Sequence, residues 1–192
     1  MANQLERKKW GECYYDHFEK FLGKPSGREK FEQKPDTPVI QIIHYDNIFD
    51  NCRAFCSFGF SRYVTEVGEV AEVFMPIDEG WDTTASILAD TLFQIVQRRM
   101  TIGWGMTFRF ANIFPDFAKK YSKAAIYFST PFGVPQGFSQ VRCESEVGSV
   151  YLACYISEAE RQYFLDQGAV NFENLLEEKN VDVFQLTRPS VV

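Results

Sequence analysis

Residues 39–77 decide the fold: Val39-Ile-Gln-Ile-Ile-His-Tyr45, then Asp46-Asn-Ile-Phe-Asp-Asn51, then Cys52-Arg-Ala-Phe-Cys-Ser-Phe-Gly-Phe60, and finally Val67–Ile77. The first segment is short and β-branched, as strands are. The polar hexapeptide joins it to the second as an antiparallel, hairpin-like connection. The third segment ends in Met75-Pro76, and a proline there cannot donate to a sheet ladder. Three consecutive strands are expected, and what flanks them sets the class.

On the N-terminal side, Trp10, Tyr14, Phe18 and Phe21 recur at spacings of three and four, which predicts a helix over 4–22. Gly23 and Pro25 end it, and Lys24–Pro38, with three prolines and many charges, reads as a loop. On the C-terminal side, Asp82-Thr-Thr is positioned to cap a helix over 83–100, with Ile87, Leu88, Leu92, Ile95 and Val96 on one face. Gly103-Trp104-Gly105 breaks it in a tight turn expected to bury the indole. Met106–Ile113, Lys123–Ser129 and Gly148–Ile156 read as further strands. Ser157-Glu-Ala-Glu160 is a capping box, predicting a helix to about Gln167 and a short one over Phe172–Lys179. Val181–Leu186 alternates like an edge strand. Helices and strands in blocks, without regular βαβ alternation, predict an α+β fold with a mixed, largely antiparallel sheet. One domain over 1–192 is expected. Trp10, Phe18, Ile42, Leu88, Ile95, Trp104 and Phe128 are expected in its core.

The chain has 192 residues, 45% apolar and 16% aromatic, enough to build a sizeable core. No apolar run is long enough to span a membrane, and the N-terminus MANQLERKKWGE has no apolar stretch to serve as a secretory signal. A cytoplasmic protein without a membrane partner is the expectation. Five cysteines (Cys13, Cys52, Cys56, Cys143, Cys154) are an odd count and argue against a disulfide framework. They read as small buried hydrophobes. Cys52-x3-Cys56 has His44 upstream but no second pair to complete a zinc site, so neither metal nor cofactor is expected.

The net charge of −6 is unevenly spread. Residues 1–143 balance at 17 acidic and 17 basic, whereas 144–192 hold 9 acidic and 3 basic and carry the whole excess. Residues 63–97 hold seven acids and no Lys or Arg. Nucleic-acid binders show the opposite footprint, so direct nucleic-acid binding is disfavoured and a basic partner is allowed. No nucleophile elbow, phosphate loop, zinc-protease motif or calcium loop is present. His17 and His44, the two histidines, read as structural. Cys56 with His44 is a conceivable thiol pair that nothing in the sequence brings together.

Taken in order, several strings resemble the suppressor-of-fused-like family. Phe18-Glu-Lys-Phe-Leu-Gly-Lys-Pro25 resembles its opening helix and the turn after it. Phe58-Gly-Phe-Ser61 resembles a glycine turn after the second strand, although Arg62 and Tyr63 depart from the family pattern. Val73-Phe-Met-Pro76, Gly103-Trp-Gly105 and Phe128-Ser-Thr-Pro-Phe132 resemble later motifs. Most specific is the ending, Tyr155-Ile-Ser-Glu-Ala-Glu160 and Phe184–Val192. The resemblance implies a non-enzymatic binding protein. Bacterial members are similar to immunity proteins that neutralise a cognate toxin, here an LXG-type toxin with a nuclease-like toxic domain. Eukaryotic relatives grip a peptide of a transcription factor. The alternative expectation is a peptide-binding adaptor using an open sheet edge. For the toxin, the expected partner-binding residues are Asp78, Glu79, Asp82, Glu173, Glu177 and Glu178, with Trp81 as the aromatic anchor, because tryptophan dominates many interfaces.

Overall fold

Along the inner strands, successive side chains leave in opposite directions, and each direction meets a different helix. Val73 and Met75 join the core under one long helix, while Phe74 between them packs under another. Ile42 and Ile43 divide in the same way. Period-two alternation with both sides apolar is the mark of a sheet covered on both faces. The computed structural model describes residues 4–33, 35, 37–49 and 51–192, with backbone alone for 4–8.

The elements run α1 (Gln4–Leu22), β1 (Gly27–Phe31), β2 (Ile40–Ile48), β3 (Cys52–Phe58), a 3-10 turn (Phe60–Tyr63), α2 (Val64–Val67), β4 (Ala71–Ile77), α3 (Trp81–Gln97), β5 (Met106–Arg109), α4 (Pro115–Tyr121), β6 (Ala125–Ser129), β7 (Gln140–Cys143), β8 (Glu146–Ile156) and α5 (Glu158–Glu178). All eight strands form one sheet in the order β1-β2-β3-β4-β8-β6-β5, with β7 also paired to β8. β4 and β8 run parallel, Ala71 beside Ser149 and Phe74 beside Leu152, and the other pairs are antiparallel. The α+β class and the mixed, largely antiparallel sheet are therefore as expected.

α3 and α4 cover one face, over Val73, Met75, Ile126, Phe128 and Tyr155. α1 and α5 share the other. α1 lays Trp10, Tyr14 and Phe18 on Tyr45, Phe74, Val150 and Leu152, and α5 lays Phe172 and Leu176 on Ala125, Tyr127, Cys154 and Ile156. Six of the seven expected core residues are buried; Trp104 is not, at 48% exposed.

Several other expectations are corrected. The stretch 24–38 contains β1, an edge strand too polar to alternate. The third strand begins at Ala71, because Val64–Val67 closes a helical turn first. Asp82 is not the cap of α3: the helix starts at Trp81, and Gly80 at φ 73 occupies the cap position. Met106–Ile113 ends as a strand at Arg109, and the Lys123–Ser129 strand starts at Ala125. α4 and β7 were not anticipated. The capping box at Ser157 is present, and Gly168 (φ 82, ψ 169) leaves helical geometry and divides α5 into two helical pieces, as the expected stop near Gln167 and restart beyond it require. Val181–Leu186 forms turns, not an edge strand. Finally, Cys13 and Cys143 form a disulfide, their Cα atoms 5.7 Å apart, because α1 docks on β7 and joins positions 130 residues apart. The other cysteines, Cys52, Cys56 and Cys154, are buried.

Candidate functional site

Two buried carboxylates frame the surface on which a site can form. Glu72 on β4 is 1% exposed and collects the turn after β3. Its Oε1 accepts from the Gly59 and Ser61 amides at 2.7 and 3.0 Å and from Ser61 Oγ, and its Oε2 accepts from Ser57 Oγ at 2.6 Å and the Phe60 amide. Burial pushes this carboxyl above its usual range, and the hydrogen bonds from Ser57, Ser61 and Gly59 oppose the shift. Gly59 sits at φ 103, where a Cβ would stand 2.5 Å from the Val39 carbonyl oxygen, so only glycine fits this turn.

The second is Glu160, in the first turn of α5. Its side chain accepts from the Ser157 amide, the Val191 amide and both terminal nitrogens of Arg188, at 2.5 and 3.2 Å. Burial alone would raise its pKa, but the Arg188 hydrogen bonds and charge hold it below the usual carboxylate range. Lys123 Nζ donates to the Arg188 carbonyl at 2.7 Å, and burial lowers this lysine to about 8. The C-terminal tail is thus strapped across the end of the sheet. Upstream it is held at Asp78, whose amide donates to the Phe184 carbonyl at 3.1 Å and whose Oδ1 accepts from the Leu186 amide at 2.8 Å.

This strap lies between two grooves, and the expected partner-binding residues divide between them. The first groove, about 670 Å³, lies between the start of α3 and α4 and is lined by Asp78, Glu79, Trp81, Asp82, Asp116, Phe117, Lys120 and Tyr121. Much of its charge is answered from within. Asp78 is committed to the tail. The Lys120 ammonium stands against Tyr121, Glu79 and Asp82, all of which favour its charged form. Trp81 is half-buried, donates Nε1 to the Ile77 carbonyl at 3.1 Å, and carries the Arg53 guanidinium 4.5 Å over its ring. It therefore has a packing role at the start of α3.

The second groove, about 560 Å³, lies between α5 and the strands beneath it. Tyr127, Ser129, Leu152 and Cys154 form its floor, α5 supplies Glu173, Leu176 and Glu177, and Trp104, Pro131 and Phe132 stand at its rim. Glu173 Oε1 accepts from Trp104 Nε1 at 2.9 Å, Tyr127 OH at 2.9 Å and Ser129 Oγ at 2.6 Å. Burial and Glu173 raise the Tyr127 phenol, and burial pushes the Cys154 thiol up to about 12. Both floor groups stay protonated at neutral pH. Glu178 is exposed and lines neither groove. Sequence reasoning picked out Glu173 by its charge alone. The alternation of β6 puts Tyr127 and Ser129 on one face, a signal that could have added them.

His44 pairs with Phe55 and shares its face of the sheet, 3.1 Å from Glu29, whereas Cys56 faces α1. The conceivable thiol pair is therefore split by the sheet itself. His17 Nε2 donates to the Phe138 carbonyl at 2.8 Å. Among the described residues no group of three or more His, Cys, Asp or Glu could hold a metal ion, and no helix is long and apolar enough to cross a membrane.

The eight-stranded mixed sheet with helices on both faces is an α+β fold that matches solved suppressor-of-fused structures. The chain belongs to the suppressor of fused protein (SUFU) family, which matches residues 36–189. It is 22% identical over 177 residues to the Immunity protein YqcF of Bacillus subtilis (strain 168), covering 90% of this chain and 91% of that protein. The putative SUFU homolog of Neisseria gonorrhoeae FA 1090 superposes with a TM-score of 0.75 at 17% identity, covering 96% and 98% of the two chains. The Sufu–Fu complex gives 0.63 at 11% identity, covering 98% of this chain and 91% of that one. Drosophila Suppressor of Fused gives 0.63 at 12% identity, and this chain matches 50% of its length.

Proposed function

We propose that this chain is an immunity protein that binds a cognate toxin in the cytoplasm of a bacterial cell, neutralises it by covering its working surface, and catalyses nothing itself. The observation that carries this reading is the likeness to an immunity protein over nine-tenths of both chains. An LXG-type toxin with a nuclease-like domain suits the charge. A nuclease attracts phosphate and is basic, and an acidic inhibitor is steered toward it. Asp78, Glu79, Trp81 and Asp82 in one groove, Glu173 and Glu177 in the other, and Glu178 beside them are the proposed contacts.

The test is co-expression with the toxin encoded by the adjacent reading frame. Rescue of growth, with a stable complex on co-purification, supports immunity; no rescue and no complex overturns it. His17→Asn and His44→Asn retain protection on this reading. Loss of protection by a variant that still folds and still binds would reveal chemistry instead. The outer strand β5 favours a second reading, a peptide adaptor that adds a strand at this edge. An adaptor gives no rescue.

A further inference from the structure

The two grooves differ in how their charge is answered, and this difference points to a partner. The α3–α4 groove contains Lys120 and has Arg53 stacked on its tryptophan. The groove beside α5 holds Glu173 and Glu177 and not one Lys or Arg among its lining residues. Glu173 makes no ion pair among the described residues.

Its carboxylate is nevertheless fixed. Three donors, an indole, a phenol and a hydroxyl, all converge on Oε1, while Oε2 has no hydrogen-bond partner in the described chain. Oε1 aims the group, and the carboxylate lines the groove with no cation of the described residues paired to it. Two aromatic rings line the same groove with half their surfaces in solvent, Trp104 at 48% and Phe132 at 51%. Phe132 is held flat despite that exposure. It stacks on Phe184 at 5.6 Å and 15°, which stacks on Phe49 at 5.1 Å and 10°.

We infer that this groove receives an arginine side chain from the toxin, its guanidinium on Glu173 Oε2 beside the Trp104 ring and its stem along Leu176 and Val183. A planar, weakly hydrated cation suits a fixed carboxylate flanked by rings better than a strongly hydrated ammonium does. The preset geometry means that little side-chain ordering is left to be done on binding. The identity of the partner rests on the immunity reading; the chemistry of the pocket does not.

The experiment uses the full chain and N-acetyl-arginine-N-methylamide as probe, with the citrulline and lysine counterparts as comparisons. The Trp104 indole N–H is followed by NMR and assigned by its absence in Trp104→Phe. The expected result is a saturable shift with arginine, at least tenfold weaker binding of citrulline and weaker binding of lysine. Glu173→Gln keeps an oxygen for the three donors and loses at least tenfold in arginine affinity. Phe132→Ala, at the rim and outside the core, loses severalfold. No saturable shift up to about 50 mM arginine, or equal binding of citrulline or lysine, overturns the inference. Either result leaves rescue by co-expression untouched, so the two readings fail separately.

Discussion

Replacing Arg188 by methionine tests the strap directly. The guanidinium is 4% exposed and its partner Glu160 is 0% exposed, so the substitution leaves a carboxylate buried without its cation. Breaking a buried pair from one side costs about 3–5 kcal/mol. At about 2–4 °C per kcal/mol for a chain of this size, the midpoint falls by about 6–20 °C. The loss also depends on pH. In the native chain Glu160 is held below its usual range, so its contribution is present above the unfolded pKa of about 4.3 and fades as pH falls through the folded value. In Arg188→Met the unpaired carboxyl is raised and takes up a proton as the pH falls. The gap between the two proteins is therefore widest at neutral pH and narrows toward acid. Adding Glu160→Gln removes the buried charge and keeps an acceptor for the Ser157 amide, since a glutamine is still a capping-box residue, while the Val191 amide, bonded to the other oxygen, loses its acceptor. The double variant should recover part of the loss. Thermal unfolding by circular dichroism from pH 4 to 7 measures all three. A single variant within 1 kcal/mol of the parent, or a double variant no better than the single, refutes the reasoning.

Gly59→Ala places a Cβ against the Val39 carbonyl at a left-handed φ, and chemical denaturation should show a loss of about 2 kcal/mol or more. Reducing Cys13–Cys143 reopens a 130-residue loop, so a melt with and without reductant should differ by about 3–5 kcal/mol, with Cys13→Ser matching the reduced protein. Trp81→Ala removes a half-buried ring, its bond to Ile77 and the Arg53 stack. It should cost about 2 kcal/mol of stability, and a further loss in toxin titrations beyond what folding explains marks Trp81 as an anchor. Glu177→Lys with Glu178→Lys, both exposed, should slow toxin association at low salt, and the deficit should shrink as the screening length falls to about 8 Å; unchanged rates at low salt place the interface elsewhere.

What could be read in advance was local. The aromatic stripe of α1 and the serine and glutamate of the α5 capping box sit within a turn or two of each other, so spacing alone reveals them. β1 was hidden because an edge strand with three exposed middle residues has no apolar period. Trp104 was misplaced for a related reason: glycines on both sides announce a turn, but burial depends on whether another element arrives to cover it. None does, and α5 offers the indole a carboxylate instead. The Cys13–Cys143 bond and the three donors on Glu173 join positions far apart in the chain. Each follows from the path of the sheet, which no short window of residues contains.

That path has a consequence for how the protein is made. In the sheet, the strands β1–β4 and the pair β5–β6 are joined by β8, the last of the eight to be synthesised. Until residue 156 has left the ribosome, β4 and β6 each present an open inner edge, and both strands are buried along their whole length in the finished fold. Open apolar edges are templates for pairing with other chains. A nascent chain stalled before residue 146 therefore carries two half-sheets that recruit neighbours, and the arrival of one eleven-residue strand closes both at once.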